Sequence, residues 1–188
     1  GHPEVIGTMG QLEQGAIHLV EGPEDVDKLE LDSSDNVAYI TQTTLSLDDT
    51  SEIIAALKNK FPSIKDPKKE DICYATTNRQ NAVKALAEKV EVVLIIGAPN
   101  SSNSRRLVEV AQKGGCRSML IQRASEIKWD WFKGVKTVGI SAGASAPEIL
   151  VEEVIETFKK RFDISMEQVL TTEENVTFKV PAILLKDD

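Results

Sequence analysis

The chain has 188 residues, 41% hydrophobic, 28% charged and 5% aromatic, an ordinary globular mixture able to bury a real core. Its formal net charge of −8 repels phosphate backbones and sets nucleic acid aside as a partner. The longest apolar run, VVLIIGA, is far too short to cross a bilayer, nothing resembles a signal peptide, and two cysteines, Cys73 and Cys116, make no disulfide framework, so a reducing, cytoplasmic setting is expected.

The chain opens on GHPEV without an initiator Met, which reads as part of a longer protein. His2 and Glu4 straddle Pro3 and fall on one side of an extended segment. His18, in AIHLV, reads as a structural residue on a strand. NVAYITQ (36–42) reads as a strand, followed by a helix with Ile53, Leu57 and Phe61 on one face and a capping box from Ser46 to Asp49. TNRQNAVKALAEK continues the helical pattern through Val83 and Leu86, and EVVLIIG (91–97) is a near-continuous apolar run, as in a buried parallel strand. SNSRRLVEVAQKGG is a helix closed by Gly114 and Gly115. RSMLI (117–121) and KTVGI (136–140) are strands flanking a short helix, SEIKWDWFKG, whose tryptophans pack. PEILVEEVIETFKKRF is the clearest helix, with Pro147 in its first turn, a second capping box from Ser145 to Glu148, and a core stripe of Val151, Ile155, Phe158 and Phe162. NVTFKV (175–180) alternates as a last strand. Strand–helix alternation predicts an α/β fold with parallel sheets, and the charged segment 63–71 is the best domain boundary.

In open α/β sheets ligands bind beyond the carboxyl ends of the strands. The turns expected there are TQTTLS (41–46), CYATTN (73–78), APNSSNS (98–104) and SAGASAP (141–147). All are rich in Ser, Thr and Asn, and none holds Lys or Arg. Capping accounts for one such residue per helix. It does not account for NSSNS, and hydroxyls together with helix N-termini would make an anion pocket without formal cations. Cys73 sits in this set, before a helix, a position that favours a thiolate, although read alone such a cysteine is more often a small core residue. Cys116, after Gly-Gly, reads as structural. GASAP lacks the last Gly of a nucleophile elbow, two histidines support no Ser-His-Asp triad, and no zinc spacing, GxGxxG or Walker A sequence is present.

The segments GHPEVIGTMGQ, TQTTLSLDDTSEII, DICYATTNRQ, NSSNSRRLVEVA and VGISAGASAPEILVEEV resemble, in order, the motifs of the LytB family of 4-hydroxy-3-methylbut-2-enyl diphosphate reductases. The resemblance implies a trefoil of three small α/β domains around a 4Fe-4S cluster, of which this chain would supply two parallel-sheet domains. Residues 1–69 would be the second domain, incomplete at its N-terminus, 70–164 the third, and 165–188 a C-terminal strand and tail. It also implies reductive removal of an allylic hydroxyl as water, giving isopentenyl and dimethylallyl diphosphate in the non-mevalonate isoprenoid pathway, with electrons from a donor such as ferredoxin or flavodoxin. By match of motif, Cys73 would ligate the cluster and Glu4 would deliver protons. Thr43 would orient the hydroxyl. His2, Ser101, Ser102, Asn103 and Ser145 would bind the diphosphate, with the small neighbours of Ser145 letting it approach. The family's other two cysteines and two further histidines belong to a region not in this sequence, and Cys116 matches neither missing ligand. The chain alone is therefore expected to be inactive and without a cluster. The competing expectations are a non-catalytic diphosphate-binding module and a thiol enzyme using Cys73.

Overall fold

A computed structural model describes residues 2–32, 36–173 and 179–180. In chain order the elements are α1 (Pro3–Met9), α2 (Pro23–Asp27), α3 (Leu47–Lys60), α4 (Tyr74–Ala87), β1 (Val92–Ile96), α5 (Ser102–Lys113), β2 (Arg117–Ile121), two 3-10 turns (Ala124–Glu126 and Trp129–Phe132), β3 (Val138–Ala142) and α6 (Glu148–Lys159). The three strands form one parallel sheet in the order β2-β1-β3. The chain leaves β1 through α5 towards β2, then crosses back over β1 to reach β3. The carboxyl ends of β1 and β3 therefore flank the point where the winding reverses, the position at which such sheets open a crevice.

Strand β1 is buried along its whole length, which is why it reads as an unbroken apolar run rather than an alternating one. Its side chains nonetheless divide by parity. Val92, Leu94 and Ile96 pack with Phe132, Val154 and Phe158 on the α6 face. Val93 and Ile95 pack with Val83, Leu107, Val110 and Ala111 on the α4–α5 face. The tryptophans belong to the first of these layers, where Trp129 meets Phe158 edge-on at 5.5 Å between ring centroids. A third cluster, around Val26, Leu57 and Phe61, is formed by residues that precede α4.

Several expectations need correction. Residues 36–42 do not form a strand; they make one parallel bridge, Ala38 with Lys65, so among the described residues there is a single sheet rather than two. A strand needs a neighbour along its length, and here the chain has one partner at one point. The segment 63–71 is tied to that same stretch through Tyr39 Oη to Asp66 (2.7 Å) and Thr41 N to Asp71 (2.8 Å). His18 lies in an exposed stretch without regular structure. Strand β3 is displaced from 136–140 to Val138–Ala142 because the Glu91 carboxylate holds the Lys136 and Thr137 amides (2.6 and 3.0 Å), while Ser141 and Ala142 still pair with Ile95 and Ile96. Helix α6 is capped by Pro147, without a side-chain cap from Ser145, and Phe162 lies beyond its end, 43% exposed. Of the last expected strand, residues 175–178 lie outside the described residues, and 179–180 have no regular structure.

The third cluster depends on one cation. Lys60, in the last turn of α3, donates to the carbonyls of Val26 (2.9 Å), Asp27 (2.8 Å) and Leu29 (2.9 Å), at and just beyond the C-terminal end of α2. Lys60→Met keeps the aliphatic stem and removes all three bonds. It is expected to lower unfolding free energy by about 1–3 kcal/mol, read from urea denaturation.

Candidate functional site

A hollow of about 350 Å³ opens at the carboxyl ends of β1 and β3, lined by Glu4, Thr43, Thr44, Cys73, Thr76, Ser101, Ser102, Asn103, Ala144 and Ser145. Five separate parts of the chain meet here: α1, the turn before α3, the start of α4, the turn after β1 and the turn after β3. No lysine or arginine lines it. Its donors are hydroxyls, one amide side chain and the N-terminal turns of α4 and α5, whose partial positive charge acts over the first turn.

Each donor is set by its place in the fold. Ser101 caps α5, its Oγ accepting from Ser104 N at 3.3 Å. Asn103 is 8% exposed, yet neither Nδ2 nor Oδ1 of its side chain has a hydrogen-bond partner. Burying an amide without partners costs about 1–3 kcal/mol, so its presence beside the hollow points to a polar ligand there. Cys73 is the N-cap of α4 and makes no side-chain cap bond, which leaves its exposed sulfur facing the hollow. Ser145 is not used to cap α6, so its hydroxyl serves the hollow instead.

His2 stands just outside the lining and joins it through its neighbours. Its Nδ1 lies 3.3 Å from Glu4 N and 3.3 Å from Gln42 Nε2, and both of these are donors. In the neutral ring Nδ1 is then the acceptor and Nε2 carries the proton, directed at Ser102 Oγ 3.4 Å away. Gln42 also donates to Glu4 Oε2 at 2.8 Å, which fixes the carboxylate at the rim. The eight residues singled out by motif therefore converge, seven in the lining and His2 behind Ser102.

The second cysteine is elsewhere. Cys116 is buried in the α4–α5 layer, its Sγ donating to Val90 O at 3.3 Å. Burial pushes its thiol above the ordinary value.

The small residues on the approach to Ser145, 139–144, are used differently from expectation. A Cβ at Gly139 would press on Val90 Cγ2 at 3.2 Å and on Leu86 at 3.5 Å. A Cβ at Gly143 would overlap the Ser104 hydroxyl. These glycines admit helix side chains, and only Ala144 and Ser145 face the hollow.

Sequence reasoning passed over Gln80. It is fully buried; its Nε2 donates to Leu45 O (2.7 Å) and its Oε1 accepts from Leu47 N (3.1 Å). It thereby clamps the turn that carries Thr43 and Thr44 onto the helix that begins at Cys73. Cys73 N donates to Thr43 O at 3.2 Å, adding a backbone tie. The signal was present: Thr76, Gln80 and Val83 share one helical face, and two polar residues in phase with a buried valine need partners.

An α/β protein with a hydroxyl-lined hollow, free of lysine and arginine, at the reversal of its parallel sheet is the class these features define. The LytB protein family model matches residues 1–159, and the chain belongs to that family. It is 63% identical over 185 residues to the 4-hydroxy-3-methylbut-2-enyl diphosphate reductase of Cereibacter sphaeroides, covering 98% of this chain and 58% of that protein. It is 57% identical to the reductase of the same name from Paracoccus denitrificans, again with 58% of that protein covered. Among solved structures it resembles the E-1-hydroxy-2-methyl-but-2-enyl-4-diphosphate reductase from Plasmodium falciparum, with a TM-score of 0.90 at 34% identity, over 98% of this chain and 58% of that one. The chain thus spans somewhat more than half the length of the relatives it matches. Among the described residues no helix is long and apolar enough to cross a membrane.

Two outcomes follow from the site. Gln80→Leu leaves Leu45 O and Leu47 N without partners and is expected to cost about 2–4 kcal/mol, seen as a lowered thermal midpoint. Ellman's reagent should titrate one thiol in the native chain, Cys73, and two after denaturation. Protection of Cys116 should persist near pH 9.0, its ordinary value. Because folding raises this pKa, the stability it carries is whole below that pH and is lost as the pH climbs through the raised value.

Proposed function

We propose that this chain carries most of the substrate site of a 4-hydroxy-3-methylbut-2-enyl diphosphate reductase, in which the allylic diphosphate occupies the hollow. The observation that carries the reading is Asn103, buried with its whole amide unpaired in a lining it shares with Ser101, Ser102, Ser145, Thr43, Thr44 and Thr76. Ser101, Ser102, Asn103 and Ser145, with His2 acting through Ser102, would hold the diphosphate by hydrogen bonds and the α5 N-terminus. Thr43 would orient the substrate hydroxyl, and Glu4, held by Gln42, would protonate it as it leaves as water. Isopentenyl and dimethylallyl diphosphate would be the products, reached with two electrons and two protons. These residues account for binding and for proton delivery; they carry no electrons.

The family resemblance implies a 4Fe-4S cluster as the source of those electrons. Of the two cysteines only Cys73 faces the hollow, and among the described residues no three His, Cys, Asp or Glu side chains converge as a metal site. One thiolate does not satisfy a cluster that the family binds through three cysteines, so the residues present do not fit the group on their own. In the intact protein Cys73 would be one ligand, the others would come from outside this chain, and a small electron carrier such as ferredoxin or flavodoxin would supply the reductant in a cytoplasmic setting. The same ligand count favours a second reading for the isolated chain, a diphosphate-binding module without turnover.

Calorimetric titration of the isolated chain with the allylic diphosphate is expected to show binding without product formation. Anaerobic iron–sulfur reconstitution is expected to leave no stable broad visible absorption. A persistent cluster with turnover would overturn the ligand count, and absence of diphosphate binding would overturn the site. In the complete protein Glu4→Gln should retain substrate affinity while lowering turnover by about 10²–10⁴-fold, as for loss of a general acid. An equal loss of affinity would make Glu4 a binding residue.

A further inference from the structure

We propose that Ser104 is the positioning residue of the anion site, setting the direction in which Ser101 presents its proton. The inference rests on the diphosphate reading of the hollow and adds a residue to which the motifs gave no role.

Ser104 is 1% exposed and does not line the hollow. Its hydroxyl is seated between the carboxyl ends of two neighbouring strands. A Cβ at Gly97, which follows β1, would overlap Ser104 Oγ and Cβ, and a Cβ at Gly143, which follows β3, would overlap the same hydroxyl. Both positions are glycine because the serine fills the space a side chain would take. From this seat Ser104 Oγ donates to Ser101 Oγ at 3.1 Å, while Ser104 N donates to the same oxygen at 3.3 Å.

A serine hydroxyl has two acceptor positions and one proton. With both acceptor positions of Ser101 occupied from behind, its own O–H is left to donate forwards, and forwards is the hollow. An anion there meets a donor already turned towards it. Without Ser104 Oγ, the Ser101 hydroxyl regains a free lone pair and can rotate to present it, which would repel the same anion. The adjoining Asn103, buried and unpaired, marks this side of the hollow as the one a polar ligand must complete. One side chain therefore locks two strand ends to the start of α5 and fixes the polarity of the first donor.

The test uses the chain itself and inorganic diphosphate, followed by calorimetry, with Ser104→Ala, Ser101→Ala and the double variant. Losing one hydrogen bond to a charged group is expected to weaken binding by about tenfold or more in either single variant. The distinguishing readout is the coupling between them: if Ser104 acts through Ser101, the double variant binds no more weakly than Ser101→Ala alone. Should Ser104→Ala fail to fold by circular dichroism, Ser104→Cys, whose somewhat larger thiol still fills the seat and donates only weakly, takes its place in the cycle. Wild-type binding with Ser104→Ala unchanged, or with losses that multiply in the double variant, overturns the inference and leaves the diphosphate site standing. No binding by the wild-type chain overturns the diphosphate reading and this inference together.

Discussion

The hollow exists because a buried glutamine on α4 holds a distant turn in place. Gln80 satisfies a carbonyl and an amide of residues 45 and 47 with one side chain and spends no charge in doing so. Around it the contact between α3 and the helices of the sheet is ionic and exposed: Lys84 with Asp48, and Lys113 and Arg106 with Asp49. Exposed pairs of this kind are worth little and weaken with salt. A fully buried amide pair has no water to fall back on, so its loss leaves two backbone groups stranded. Placement of Thr43 beside Cys73 thus rests on Gln80 far more than on the salt bridges that surround it.

The way the hollow handles charge follows from the elements that build it. A site lined by lysines would bind any phosphate and would carry its positive charge when empty. Here the lining offers hydroxyls and backbone amides at the starts of α4 and α5 instead of formal cations. Such donors need no counter-ion, and they tolerate a carboxylate in the same wall. Glu4 can therefore stand at the rim, tied to Gln42 and beside His2, without being neutralised by a neighbouring cation. On the proposed reading, a proton donor and an anion site would share this one small space, since neither would rely on a formal positive charge.

Much of this was legible in the residues. The apolar run of β1 and the Gly-Gly end of α5 each carried a local signal strong enough to stand alone, and RSMLI marked β2 at its true limits. The turns that line the hollow were legible from composition, since their hydroxyls outnumber the caps their helices need. What failed was whatever depended on a partner. Residues 36–42 have the pattern of a strand but only Lys65 to pair with. Ser145 has the spacing of a cap, yet the chain reaches α6 through Pro147. Gly143, a small neighbour of Ser145, was expected to clear the way for a ligand and instead makes room for Ser104. Local pattern states what a segment is able to do; the neighbour decides whether it does it.

The two cysteines apply the same rule to sulfur. Cys116 sits among valines and leucines, satisfied by a carbonyl and raised by burial, so it behaves as a small apolar residue. Cys73 caps a helix without bonding to it and keeps an open face to the hollow. Moving Cys116 to the site is barred by its place in the sheet layer, so this chain can offer a metal one thiolate and no more. On the proposed reading, a redox centre needing further thiolates would have to take them from outside this chain. The hollow would then be completed by the same step that completes the centre. On the same reading, electron supply would wait on that assembly, while the wall present here could already hold a diphosphate.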